Sequence, residues 1–322
     1  MKIIILGGTG FIGRHICEKL IRAGHEVTVP TRKLENAREI QMLPGLQPLR
    51  CNVHDVQQLT QAAYGHDVLI NLVAILHGSE AEFERTHVTL PQTVVAACKA
   101  AGIKRIVQMS SLGAALDAPS QYLRSKGRGE QVFNQSGLDV CILRPSVVFG
   151  EGDKLLNVFA QLQSTFPFVP LAGSEAQFQP VWVEDVAQAV VTLAVHRNYK
   201  IDSALRSQYA GKVLKTFEIA GDKTMSLRQL FELAGASVGA SRPIFHLPNS
   251  LARIQAWAME KMPGPTLMSR DNLDSMAAPN IASGFSPGLR ELGIEPGGIE
   301  AIAPTYLQPK SRMNAIRKNG SR

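Results

Sequence analysis

Tyr122 and Lys126 stand four residues apart in Tyr122-Leu123-Arg124-Ser125-Lys126, a separation that puts both side chains on one face of a helix. An ammonium beside a phenol favours the phenolate, so the pair could give or take a proton at a substrate hydroxyl or carbonyl while a nicotinamide handles the hydride. Y-x-x-x-K is common by chance and takes its meaning from its surroundings. Near the start of the chain, Gly7-Gly8-Thr9-Gly10-Phe11-Ile12-Gly13 follows an apolar, β-branched run, Lys2 to Leu6. Gly7 permits a tight turn off a strand, Gly10 lets backbone approach a pyrophosphate, and Gly13 lets a helix pack closely on a sheet. Thr9, Phe11 and Ile12 complete the turn and the helix N-terminus, whose free N–H groups favour an anion. At the end of the next apolar run, where an Asp or Glu would hold an unmodified ribose, the chain reads Pro30-Thr31-Arg32-Lys33. Arg32 could fork onto a 2′-phosphate and Lys33 could add a second charge, which favours NADP(H). NAD(H) stays open, because both cations could instead be solvated loop charges.

These residues need a frame, and the apolar pattern supplies one. Ile12, Ile16 and Leu20 recur at helical spacing, Gly24 follows as a left-handed cap, and Glu26 to Val29 is a second strand, which makes a βαβ unit. Further strands are expected at Leu49 to Val53, Val68 to Ile75, Arg105 to Met109 and Val140 to Leu143. Between them lie a helix opened by an Asp55/Gln58 capping box and another ending near Ala101-Gly102. The fold class is therefore α/β: a Rossmann doubly wound parallel sheet that gathers ligands at the carboxyl ends of its strands. Asn52, Val53, Leu72, Val73, Ala74, Ser110 and Ser111 occupy those ends, and Pro145-Ser146 follows the last. After Gly150 the pattern loosens, with Pro, Gly and polar clusters at 163–180 and 263–288. That suits a smaller domain interleaved with the first. The boundaries are 1–150, with a helix from Val183 to Val195 in a segment 181–196 that returns to the first domain, then 151–306, then a basic tail, 307–322. A further helix is expected from Ser226 to Ala234. Ser250 to Met262 is amphipathic, with Leu251, Ile254, Trp257, Ala258 and Met262 on one side, a stripe that reads first as core and second as a dock for a membrane or a respiratory partner.

Composition excludes several classes. The 322 residues are 45% hydrophobic and 19% charged, as in ordinary globular chains and unlike disordered ones. Five of the cations behind the net charge of +7 (Lys310, Arg312, Arg317, Lys318, Arg322) fall in the last fifteen residues, which contain no acid, so the body carries +2. This is no nucleic-acid footprint. The four cysteines form no C-x-x-C and sit in apolar runs, and no pair of histidines has zinc-helix spacing; they read as core thiols in a reducing compartment, with no metal. The apolar start is too short for a leader. The charge-free stretch Leu155 to Ser174 carries Asn157, Gln161, Gln163 and two prolines, which rules out a transmembrane span there. The expected location is cytoplasm or an organelle matrix, at most peripheral to a membrane's inner face.

The chain resembles a short-chain dehydrogenase/reductase of the extended, epimerase/dehydratase-like type through Gly7-x-x-Gly10-x-x-Gly13, Met109-Ser110-Ser111, Tyr122-x-x-x-Lys126, Leu143-Arg144-Pro145-Ser146 with Phe149-Gly150, and Val183-Glu184-Asp185-Val186-Ala187. More closely, it is similar to the atypical branch that contains subunit 9 of the alpha subcomplex of respiratory complex I. Val29-Pro30-Thr31-Arg32, Ile70-Asn71-Leu72, Phe178-Gln179-Pro180-Val181, Ser269-Arg270-Asp271 and Pro287-Gly288-Leu289 carry that match. The resemblance implies a Rossmann domain with bound NADP(H) and a smaller C-terminal α/β substrate-type domain, with Tyr122 and Lys126 at the cofactor and Pro145-Ser146 near the nicotinamide. Active extended members place a Ser or Thr one residue beyond the serine pair; here Leu112 stands there. Either Ser111 takes its place as the third catalytic residue, or the site only holds the cofactor. Three functions follow: a structural nucleotide carrier, a working reductase, dehydrogenase or epimerase on a quinone-like, sugar-nucleotide or other hydroxyl or carbonyl substrate, and an assembly factor for a respiratory complex or ubiquinone biosynthesis.

Overall fold

Alternation inside the first strand decides the architecture. In β1 (Lys2–Leu6), Ile3 and Ile5 enter one hydrophobic core while Ile4 and Leu6 enter another, as the two-residue period of a strand buried on both faces requires. The computed structural model describes residues 1–196, 215–261 and 268–307. Beyond Leu307 the basic tail lies outside the described residues, as does Met262. After β1 come α1 (Phe11–Arg22), β2 (Glu26–Thr31), β3 (Leu46–Arg50), α2 (Val56–Ala63), β4 (Val68–Asn71) and α3 (Glu80–Glu84). A π-turn (Arg85–Thr89), α4 (Leu90–Ala101), β5 (Arg105–Met109), α5 (Gln121–Asn134) and β6 (Asp139–Pro145) follow. With the strand Thr216–Ile219 they form a seven-stranded sheet in the order Thr216–Ile219, β6, β5, β4, β1, β2, β3, every pairing parallel. The Rossmann reading holds. The strand order reverses between β1 and β4, and this opens a crevice at their carboxyl ends.

Ile16, Cys17 and Leu20 of α1 pack one face of the sheet together with Ala187, Val190 and Leu193 of a returning helix, which spans Val183–Val195 as expected. Leu59 of α2, Val94 and Ala97 of α4 and Phe133 of α5 pack the other. A third core, around Phe149, Phe159, Leu171, Leu230 and Phe231, belongs to the smaller C-terminal lobe. That lobe contains α6 (Leu155–Thr165), α8 (Leu227–Ser237), α9 (Asn249–Lys261), α10 (Arg270–Ser275) and α11 (Ile299–Tyr306), with the returning helix numbered α7 between the first two. All four cysteines are buried and free.

The structure corrects several expectations. β3 runs from Leu46 to Arg50 rather than Leu49 to Val53; it takes in Pro48, which is tolerated because β3 is an edge strand. β4 stops at Asn71 instead of Ile75: the Asn71 side chain donates to Gln108 (2.8 Å) and accepts from the Val73 N–H (3.3 Å), which turns the chain off the sheet. Asp55 caps α2, but the Gln58 amide reaches the Asp55 carboxylate and the Asn52 N–H rather than the cap's own backbone, so the reciprocal box does not form. The strand Thr216–Ile219, assigned above to the second domain, extends the first domain's sheet beside β6. The stripe on α9 is not core: only Ala252 and Ala256 are buried.

Candidate functional site

At the end of β1 the three glycines do separate work. Gly7 has φ +81°, and a Cβ there would lie 3.3 Å from the Leu72 carbonyl carbon and the Val73 nitrogen, so the turn rests directly on the loop after β4. A Cβ on Gly13 would collide with Gly7 O and stand 2.6 Å from Gly8 Cα; α1 can abut the turn only with glycine here. Gly10 is exposed at the N-cap. The first turn of α1 holds no acid and no side-chain cap, and the N–H groups of Phe11, Ile12 and Gly13 have no carbonyl within the helix. This cradle suits a pyrophosphate.

Arg32 and Lys33, just past β2, are exposed, and among the described residues neither joins an ion pair. The His54 imidazole is held below its usual range by burial and then by the positive charges of Arg85 and Arg32. Arg85 on the π-turn and His54 after β3 thus share this edge with Arg32. Neither was singled out from the sequence, because nothing local links a residue at 85 to the end of β2. Asn52 and Val53 lie on the same edge; the Asn52 carboxamide accepts from the His54 N–H at 3.2 Å.

Tyr122 and Lys126 both lie on α5, with Ser111 nearby at the end of β5. The helix is closed at its N-terminus by two groups. Ser120 accepts from the Leu123 N–H (3.1 Å), and Asp271, from the other lobe, accepts from the N–H groups of Gln121 (2.6 Å) and Tyr122 (3.1 Å). The Tyr122 ring sits 5.6 Å from the imidazole of His87 and 6.2 Å from Phe83. His87 is neutral, held down to about 2 by burial and then by Lys126. Its Nε2 accepts from the Ile75 N–H (3.2 Å), which leaves Nδ1 to donate to Ser125 Oγ (2.8 Å); that hydroxyl donates to the Tyr122 carbonyl (2.7 Å). Lys126 is buried and donates to the Met109 carbonyl at 3.1 Å, with Nζ 6.0 Å from the Tyr122 ring centre. Burial brings the ammonium down to about 8 against the pull of Glu130. Burial pushes the Tyr122 phenol up to about 12, opposed by a hydrogen bond with the Ser111 side chain. The phenolate that the Tyr–Lys spacing suggested is therefore not populated at neutral pH in this arrangement.

Two expected cofactor contacts have their hydroxyls engaged within the protein. Ser110 donates to the buried Glu130 carboxylate, which is also gripped by both arms of Arg144, Nε at 2.9 Å. Ser146 donates to the Asn280 side chain at 2.7 Å. Pro145 still serves the backbone ladder, its carbonyl accepting from the N–H of the buried Leu112 at 3.0 Å. Among the described residues no cluster of His, Cys, Asp or Glu could hold a metal.

A family model described as NAD(P)H-binding matches residues 7–197. The chain is 26% identical to the mitochondrial NADH dehydrogenase (ubiquinone) 1 alpha subcomplex subunit 9 of Arabidopsis thaliana, across 94% of this chain and 76% of that one. It is 27% identical to the 2-alkyl-3-oxoalkanoate reductase of Stenotrophomonas maltophilia, across 92% and 95%. Among solved structures, the dTDP-glucose 4,6-dehydratase DesIV of Streptomyces venezuelae superposes with a TM-score of 0.70 at 20% identity, covering 95% of this chain and 96% of that one. At that identity the likeness shows the fold alone.

Proposed function

The chain belongs to the NAD(P)H-binding family, and on that premise we propose that it holds NADP(H) chiefly as a structural nucleotide, in a role allied to that of complex I subunit 9. The observation that carries the choice of nucleotide is Arg32, at the end of β2 with no carboxylate where one would hold an unmodified ribose. Arg85 and His54 share that edge and favour an anion there. Leu112, buried where a hydroxyl would be needed, supports holding over turnover. Such a protein belongs in the cytoplasm or an organelle matrix, beside a respiratory partner; no helix among the described residues is long and apolar enough to cross a membrane. A reductase is the second reading, favoured by the hydrogen bond between Ser111 and Tyr122.

The test is to denature freshly purified protein, identify the released nucleotide by mass spectrometry, and titrate the stripped protein with NADPH and NADH. Tight NADPH binding with slow release is the expected result. Weak, exchangeable binding of either nucleotide favours the reductase, and no binding overturns both readings.

A further inference from the structure

Helix α9 is turned inside out relative to an ordinary surface helix, which buries its large apolar residues. Its inner side fully buries only Ala252 and Ala256, with Met259 half-buried beside them, and ion pairs tie it to α10, Arg253 to Asp274 (3.0 Å) and Glu260 to Arg270 (2.9 Å). Leu251, Ile254 and Trp257, spaced three apart, face outward and are 51, 62 and 51% exposed. The strand Ile244–Leu247 hands over to α9 through Pro248, and it carries Phe245, 57% exposed, in edge contact with Phe168 (ring centres 5.9 Å apart), itself 54% exposed. Phe166 adds a further exposed ring at the end of α6. Large apolar groups exposed in this number, on one helix side and on the strand that leads into it, mark a contact surface.

We infer that this face docks on an anionic phospholipid surface. It offers large aliphatic and aromatic groups, with the Trp257 indole N–H as the single hydrogen-bonding group on the stripe, which matches the boundary between headgroups and acyl chains better than a partner needing directional polar contacts. The charge is complementary. The fifteen residues after Leu307 bring five cations and no acid, on a stretch that can reach at most about 50 Å from the same lobe. One weak apolar contact plus one polybasic segment is the two-signal arrangement that gives stable peripheral attachment. The inference deepens the proposed role beside a respiratory partner without depending on the nucleotide, whose cradle lies in the other lobe.

The experiment uses the full chain and vesicles made of equal parts phosphatidylglycerol and phosphatidylcholine, or of phosphatidylcholine alone. The protein should sediment with the anionic vesicles and stay in solution with the neutral ones, and Trp257 emission should shift to the blue on binding, a shift that Trp257→Phe removes. The triple variant Leu251→Gln, Ile254→Gln, Trp257→Gln should bind at least about tenfold more weakly with NADPH binding unchanged, and truncation after Leu307 should lose a comparable factor on anionic vesicles only. Undiminished sedimentation of the triple variant overturns the inference, as does equal binding to neutral vesicles. A concentration-dependent dimer abolished by the triple variant, without vesicle binding, assigns the face to a second copy instead. Should the triple variant misfold, the native protein decides: no blue shift on anionic vesicles overturns the proposal. Failure of the nucleotide reading would appear separately, as vesicle binding intact in a protein that takes up no NADPH.

Discussion

The end of β1 and the ends of β5 and β6 flank one crevice, yet they treat their polar groups in opposite ways. At β1 the donors are left open: the three helix N–H groups of Phe11, Ile12 and Gly13, and the cations Arg32 and Lys33 without carboxylates. At β5 and β6 the polar groups satisfy one another, Ser110 with Glu130, Glu130 with Arg144, Ser146 with Asn280, and Lys126 with the Met109 carbonyl. Buried polar groups that are already paired stabilise the fold and have little left to offer a reacting substrate. The first end is built to grip, and the second to hold its own shape.

The largest effect that would test this contrast is on stability. Arg144→Met leaves the buried Glu130 carboxylate without its fork, and should lower unfolding free energy by about 3 kcal/mol in urea titrations while NADPH affinity barely moves. Adding Glu130→Gln should recover part of the loss, because the stranded charge is gone. A large drop in affinity from Arg144→Met would show that the second end does serve the ligand. At the first end the pattern should invert. A Cβ at Gly10 meets only Gly7 O, at 3.2 Å, so Gly10→Asp should fold nearly normally yet bind either nucleotide about a hundredfold more weakly, a carboxylate facing phosphates. Calorimetric titration reads that loss directly.

Two smaller changes sharpen the comparison. Arg32→Asp should weaken NADPH by about thirtyfold, within the range of a charge-assisted hydrogen bond, and leave NADH unchanged or improved; retained preference for the phosphate-bearing form sinks the assignment. Asp271→Ala removes the acceptor shared by the Gln121 and Tyr122 N–H groups. It should reduce stability by about 1–2 kcal/mol in chemical denaturation, with Asp271→Asn restoring part of it.

The β1 end was legible because its signals are local. Gly7, Gly10, Gly13 and Arg32 fall within one βαβ unit, and a strand buried on both faces announces itself as the run Ile3 to Leu6. The second end was legible only in outline. Tyr122 and Lys126 were found by spacing, but their surroundings come from Asp271, Asn280 and His87, which sequence distance hides. Ser110 and Ser146 were read as facing a ligand because their backbone does; the pairing of their hydroxyls depends on Glu130 and Asn280. The α9 stripe was misread for a related reason. Periodicity shows that a helix has an apolar side, but only the tertiary packing of Ala252 and Ala256 shows that this side points outward.

On nucleotide affinity Lys126 should give the smallest loss and the one with the most telling sign. Its folded value near 8 lies below the ordinary 10.5 because of burial. Between those values the unfolded chain binds more protons, so this group's contribution to stability rises with pH across that window, by at most about 1.4 kcal/mol per pH unit. If its ammonium also donates to the cofactor, affinity runs the other way: full below about 8, and falling a few-fold as pH rises through that value. NADPH titrations and thermal melts across the same pH series separate the two slopes, and Lys126→Met should flatten both. Opposed slopes would make Lys126 the one group of the second end that reaches the ligand. A stability slope with pH-independent affinity would leave it, like Glu130 and Arg144, a member of the frame.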